Sequence, residues 1–349
     1  PYTVFTPFSR AWKRLSLPRV LDVLRPPERL APPPEAARGV PIPHEPMLTA
    51  RIPFLAGEAE AQQRLRAFVD GADADLPEGQ SPIYQYDELR NRLDRNGTSK
   101  LSPYLNLGML SIRQAVVSAL SAIDAAPDEE ARYSAELWLD ALIRREYAIH
   151  IEAHYPEALT KGFRAEYRNV PWEMDQAAFE AWRNGRTGYP LVDAAMRQLV
   201  QTGWLPNRAR LVVASFLSKD LLLNWRWGEQ FFMQHLVDVD SASSNEGWQR
   251  AAGIGTGAAP YLSILNPVLQ GRRYDPDGAY VRRWLPELDK VPVGYIHQPW
   301  SMSPEIQREA GCIIGLDYPA PILDHGWARE RAVTFFGNAR QPMEAYRKG

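Results

Sequence analysis

With 349 residues, 45% of them hydrophobic and 23% charged, the chain can bury a sizeable core as one large domain or two, and its balance is that of a globular protein. A net charge of −2 argues against strong non-specific nucleic-acid binding, though a local basic face is compatible with it. The single cysteine, Cys312, excludes an intramolecular disulfide and any cysteine-rich metal cluster and fits reducing, cytoplasmic surroundings, while no apolar run is long enough to span a membrane.

The chain opens PYTVFTPF without an initiator Met, as a fragment or a processed chain would. Residues 1–55 are dense in proline from Pro18 to Pro53 and read as an extended linker draped over a surface. Residues 56–349 then read as a helical domain. Glu58 to Phe68 is a short predicted helix, followed by an acidic loop and a turn at Asn96-Gly97. Ser102-Pro103 marks a helix start, and Ser111 with Gln114 has the pattern of a capping box. Glu130 to Tyr155 is a strong helical segment carrying Trp138, Leu139, Leu142, Ile143, Tyr147 and Ile151. No internal repeat is present.

Three further helices are predicted between Thr187 and Arg250. Pro190 opens the first and Gly203 closes it. The second, Pro206 to Trp225, is apolar nearly all round, the pattern of a helix buried in a large all-α core. Arg208 and Arg210 open it, and a buried guanidinium needs a carboxylate or phosphate partner. Asp238 and Asp240 are the nearest carboxylates, with Ser244, Asn245 and Trp248 just beyond. Polar groups beside tryptophans on an apolar bundle suit a buried planar cofactor, and an internal salt bridge among core tryptophans meets the same pattern.

Elsewhere the chemistry is sparse. Thr98, Ser99 and Ser102 in a hydroxyl-rich turn before a helix start can donate to phosphate oxygens, as ordinary N-caps also do. No GxGxxG, P-loop, HExxH or GxSxG motif occurs, and the six histidines form no metal pattern. Eleven tryptophans and fifteen tyrosines suggest stacking or redox-active aromatics as well as core filling.

Taken together, TGYPLVDAAMRQL, TGWLPNRARLVVASFLSKDLLLNWRWGEQFF, GTGAAPYLSILNP and RRWLPEL resemble the photolyase/cryptochrome family, most of all its bacterial class I deoxyribodipyrimidine (CPD) photolyases. GTSKLSPYL and WLDALIRREY fall where that family has flavin-binding segments. The resemblance covers the family's linker and helical FAD-binding domain, with the chain starting at the trailing edge of its N-terminal antenna domain. It implies an all-α fold that binds FAD, with Tyr86 and Thr98, Ser99, Lys100, Leu101 and Ser102 at the phosphates and Trp138 and Arg145 in the pocket wall. It places Asn207 near the flavin, pairs Arg210 with Asp238 beside the ring, lets Asp240 accept hydrogen bonds from the flavin ring or ribityl chain, and counts Val239 among the cofactor-binding residues. It further implies an electron-transfer chain from Trp248 through Trp225 to a surface Trp172.

The departures fall in one place. Ala141 stands where dimer-repairing members carry a glutamate, Arg144 and Arg250 where two tryptophans sandwich the flipped dimer, Leu211 at a substrate-contacting methionine, and Ser244 at the asparagine facing flavin N5. Arg208 is expected in the same substrate pocket. The histidine of the (6-4) enzymes is not evident, since TGWLPNR has Pro206 and Asn207 there. Three functions follow as expectations: a light-driven photolyase acting as a monomer on damaged DNA, a cryptochrome-like photoreceptor with a protein signalling partner, and a flavin-binding scaffold. A basic groove of Arg144, Arg164, Arg168, Arg208 and Arg250 around the pocket mouth would favour the first. No metal or membrane is implied.

Overall fold

The computed structural model describes residues 1–15, 22–24, 27–34, 41, 52–71, 81–257 and 263–347, with side chains through residue 339. Among these residues the chain forms α-helices joined by short 3-10 turns, with no strand beyond two isolated bridges, Glu173 to Leu223 and Ile314 to Tyr318. The all-α expectation holds.

The N-terminal half builds one core from α1 (Phe5–Arg14), α2 (Glu58–Asp70), the short α3 (Tyr86–Leu89) and α4 (Ser102–Asn106), α5 (Ile112–Asp124) and α6 (Glu129–His154). Asp128 starts α6 by accepting from Ala131 N at 2.8 Å. Trp138, Leu139, Leu142, Ile143, Tyr147 and Ile151 then recur along it and pack with Leu65 and Phe68 of α2 and Val116 of α5. Ser134, also on α6, donates to Ile83 O at 2.8 Å and accepts from Asp87 N at 3.1 Å, which pins α3 beside it.

Helix α1 corrects the expectation that residues 1–55 are extended throughout. Phe5, Phe8 and Trp12 share a face and dock on α6, where the first two rings lie 5.7 and 5.3 Å from that of Tyr147. Trp12 Nε1 donates to Glu146 at 2.8 Å, and Lys13 Nζ sits 2.7 Å from Asp140. Pro7 falls in the first turn, where its missing N–H costs nothing, and the proline-dense stretch starts only beyond the helix. Of that stretch, residues 16–21, 25–26, 35–40 and 42–51 lie outside the described residues, and those described between 22 and 34 are mostly exposed. The capping box is a second correction. Ser111 stands at the N-cap of α5 without a side-chain cap bond. Gln114 instead exchanges two amide hydrogen bonds with Gln62 of α2, at 2.7 and 2.6 Å.

The C-terminal half builds a second core from α7 (Gln176–Arg183), α8 (Pro190–Thr202), α9 (Asn207–Ser215), α10 (Trp225–His235), α11 (Ser241–Ala252), α12 (Pro267–Tyr274), α13 (Ala279–Trp284), α14 (Pro304–Ala310) and α15 (His325–Arg347). Pro190 and Gly203 bound α8 as expected. Gly203, at φ 67°, is required twice over, since a Cβ there would stand 2.9 Å from Val237 Cγ1. Val237 N donates to Gly203 O at 2.9 Å and so draws the segment before α11 against the end of α8.

The predicted helix from Pro206 to Trp225 is not one helix. α9 ends at Ser215, a π-helical turn runs from Phe216 to Asp220, and Leu222 adopts φ 55° before α10 begins. Local hydrogen bonding explains the break. Ser218 Oγ donates back to Ala214 O at 2.7 Å, Leu221 N donates to Phe216 O, and Asn224 caps α10 by accepting from Arg226 N at 3.1 Å. The apolar run signalled burial correctly, because the segment is buried whichever way it winds.

Candidate cofactor and substrate site

Helix α6 of the first core faces α9 and α11 of the second across a cavity of about 340 Å³. The size lies within the usual range for small-molecule sites. Every cofactor-contacting residue expected from the sequence lines it: Tyr86, Thr98, Ser99, Lys100, Leu101, Ser102, Trp138, Arg145, Asn207, Arg210, Asp238, Val239, Asp240 and Ser244. Distant segments meet there for local reasons. Asn207, Arg210 and Leu211 are spaced at i, i+3 and i+4 on α9 and share the inward face. Asn106 at the end of α4 donates to Val239 O at 2.7 Å, tying the 98–106 segment to the 236–240 segment.

The inner wall is ordered by charge pairing. Arg210 Nη2 donates to both Asp238 oxygens at 2.9 and 2.7 Å, and its Nε donates to Leu205 O at 2.9 Å. The Asp238 side chain is only 2% exposed and that of Arg210 28%, so the pair supplies the carboxylate expected for this partly buried guanidinium. Asp240 caps α11 by accepting from Ser243 N at 2.8 Å, and its other oxygen lies 3.9 Å from Arg145 Nε. Burial raises the Tyr86 phenol above its ordinary value, with Arg90 opposing, so the hydroxyl stays protonated and able to donate. Lys100 holds φ 50°, a strained conformation for a non-glycine residue, in the turn that carries the three hydroxyls.

The mouth is different. Ala141, Arg144, Leu211 and Arg250 line it, as expected. The Arg144 guanidinium lies 3.8 Å from the centre of the Phe5 ring, so α1 supplies the face it stacks on. Burial, followed by the charge of Arg250, lowers the Arg144 pKa. Arg250 Nε stands 3.6 Å from Glu246 Oε1, one turn back on α11. Arg208 is a correction: it does not line the cavity. One position off the inward face of α9, it donates to Asn91 Oδ1 at 3.0 Å and lies 4.5 Å from the Tyr274 ring centre. Nor is the expected basic groove assembled from all five arginines. Arg164 donates to Gly257 O and Arg168 to Gly162 O, leaving Arg144 and Arg250 at the mouth.

Trp248 lines the cavity and is 3% exposed. Its ring lies so close over α10 that a Cβ on Gly228 would stand 2.1 Å from it. Trp225, three residues before Gly228, lies on the same face of α10 and is 3% exposed. The bridge from Glu173 to Leu223, with Glu173 N donating to Leu222 O at 2.9 Å, brings the neighbouring Trp172 to the start of α10. Trp172 is half-buried against Phe335 and Phe336. The sequence reading missed Trp182, fully buried with its ring centre 6.2 Å from that of Trp248, and Phe232 at 5.0 Å. It also missed Phe5 and Glu246. Glu246 was legible as an i,i+4 partner of Arg250, whereas nothing local links Phe5 to Arg144.

Residues 138–338 match the family model described as the FAD binding domain of DNA photolyase. The chain belongs to the photolyase/cryptochrome family. The deoxyribodipyrimidine photo-lyase of Vibrio cholerae is 39% identical over 343 residues, covering 97% of this chain and 69% of that protein. A bacterial class III photolyase from Agrobacterium tumefaciens superposes with a TM-score of 0.86 at 35% identity, over 98% of this chain and 69% of the other. The cryptochrome of Synechocystis sp. PCC6803 superposes with a TM-score of 0.77 at 32% identity, over 96% of this chain and 68% of the other. The cofactor of this family domain is FAD, and the cavity fits it on its own terms. Ser244 Oγ is buried at the wall without a hydrogen-bond partner, an orphan that a polar edge of a bound ring would satisfy. Among the described residues no helix is long and apolar enough to cross a membrane.

Proposed function

We propose that the chain is a light-driven, FAD-dependent photolyase acting on pyrimidine dimers in DNA. The observation that carries this reading is one cavity lined by every residue that the family resemblance sets against a flavin, with Trp248 at its edge. Reduced FAD, when bound and excited by light, supplies the electron that opens the dimer and accepts it back. The protein does the rest. Thr98, Ser99 and Ser102 donate to the phosphates, and the turn at Lys100 holds their hydroxyls in place. The Arg210–Asp238 pair sets a fixed charge arrangement beside the ring, organised before any ligand arrives. Ser244 donates to, or accepts from, the ring edge. Trp248, Trp225 and Trp172 offer a stepwise route for electrons between cavity and surface, which restores the reduced state.

At the mouth, a dimer turned out of its duplex would meet Arg144 and Arg250. Guanidinium planes stack on bases and attract phosphate, so they hold a nucleotide by a different balance of forces from two indoles. Ala141 offers no side-chain hydrogen bond to the dimer. This altered mouth favours a second reading, a cryptochrome-like photoreceptor that is photoreduced through the same tryptophans and signals to a protein. The deciding experiment is blue-light repair of a dimer-containing oligonucleotide by reduced, FAD-loaded protein. Repair is the expected result. Intact flavin photoreduction without repair would transfer the chain to the second reading.

A further inference from the structure

A second and larger cavity, of about 800 Å³, adjoins the first. Thr98, Lys100, Trp204 and Pro206 line both, so the hydroxyl-rich turn is a partition between them. Its charge is one-sided. Arg90, Arg92, Arg95, Lys100 and Arg283 line it against a single carboxylate, Asp94. That carboxylate is already taken, since Arg92 donates to its two oxygens at 2.8 and 2.5 Å and Arg95 approaches to 3.7 Å. Among the described residues Arg283 pairs with no carboxylate.

Unpartnered donors are gathered at the same place. Arg90 Nε and the indole N–H groups of Trp204 and Trp284 are buried without an acceptor, and all three residues line this cavity. A buried donor left unpaired is costly, so three around one space are a demand for acceptor atoms. Excess positive charge makes the same demand for an anion. Arginine forks match the paired oxygens of phosphate, and the two indoles add flat apolar faces that a ring can pack against. The volume is ample for a nucleotide.

We propose that this cavity is a second ligand site, which takes the phosphate and ring of a nucleotide beside the flavin rather than in its place. The nucleotide is either free or part of a DNA strand that reaches the cavity past Arg95 and Arg283, whose side chains are exposed. The two sources share one chemistry, and the test separates them.

The test uses FAD-loaded protein and titrates AMP and inorganic pyrophosphate by calorimetry, alongside the double variant Arg95→Glu, Arg283→Glu. Neither residue touches the flavin cavity, and both are exposed, so the flavin absorption spectrum should be unchanged. Expected is AMP binding to the wild type that weakens at least tenfold in the double variant and falls with added salt. Displacement of AMP by an undamaged oligonucleotide, also lost in the variant, would assign the phosphate to a strand. Absence of displacement would assign it to a free nucleotide. Equal binding by the wild type and the variant overturns the proposal, as does no binding of either probe to protein with full flavin content. Loss of flavin in the wild type would instead count against the FAD reading itself.

Discussion

The inner wall and the mouth of the flavin cavity share helices α6, α9 and α11 but follow different rules. On the inner wall each charge is answered within the protein: Asp238 by Arg210, Asp240 by the backbone of α11 and by Arg145. At the mouth, Arg144 rests on an aromatic ring, and the partly exposed Arg250 faces Glu246 of its own helix at 3.6 Å. A wall with internally satisfied charges is rigid before a ligand binds, which suits a cofactor that stays. Cations on apolar supports keep attraction in reserve for an anionic partner that comes and goes. The difference separates what holds FAD from what selects the substrate, and substitutions on each side should fail in different ways.

The largest effect is expected on the tryptophan route. Trp225→Phe should abolish fast flavin photoreduction, read by transient absorption, while FAD content after gel filtration stays that of the wild type. Normal photoreduction in this variant would remove Trp225 from the route. Next comes the inner wall. Asp238→Ala leaves the Arg210 guanidinium without its carboxylate, so a loss of about 3 kcal/mol in urea unfolding, at the low end for buried pairs because Arg210 is partly exposed, should accompany loss of FAD. If FAD is retained at full occupancy, the pair serves the fold rather than the cofactor.

At the mouth the expected changes concern binding alone. Arg144→Trp supplies a flat indole face for a flipped base and should tighten binding of a dimer-containing oligonucleotide by about 1–3 kcal/mol, with FAD content unchanged. A weaker complex would show that the Arg144–Phe5 stack is itself the substrate platform. The smallest effect belongs to Ser244. With no partner in the protein to lose, Ser244→Ala should alter unfolding by less than about 1 kcal/mol. A shift in the flavin absorption bands or midpoint potential would place its hydroxyl at the ring. Unchanged spectra and potential would leave it outside the site.

Most of the site was legible only through the family resemblance, and a small part of it follows from simple demands. Arg210 on an apolar helix required a carboxylate, and Asp238 supplied it. Asn207, Arg210 and Leu211 share a face by helical spacing alone. Arg208 was misplaced because a helix turns about 100° per residue, and one position was enough to send it to Asn91 and Tyr274. The break after Ser215 was hidden by an unbroken apolar pattern, which reports burial but not the way the backbone winds. The Ser111–Gln114 motif misled because a long-range partner, Gln62, won the glutamine side chain.

Periodicity and end signals therefore determined from the sequence alone that the chain is all-α, where α6 and α8 begin and end, and that a cation beside tryptophans needs an acidic partner. These are consequences of hydrogen bonding and burial within a few turns of chain. Only the tertiary structure decided that α1 is a helix, since its stability comes from docking Phe5, Phe8 and Trp12 on α6 more than from its own ten residues. That docking also puts Phe5 beneath Arg144, a contact between residues 139 positions apart in the sequence. The second cavity arose in the same way, because its arginines and indoles come from segments with no local relation, and their unmet donors appear only once packing has removed the water.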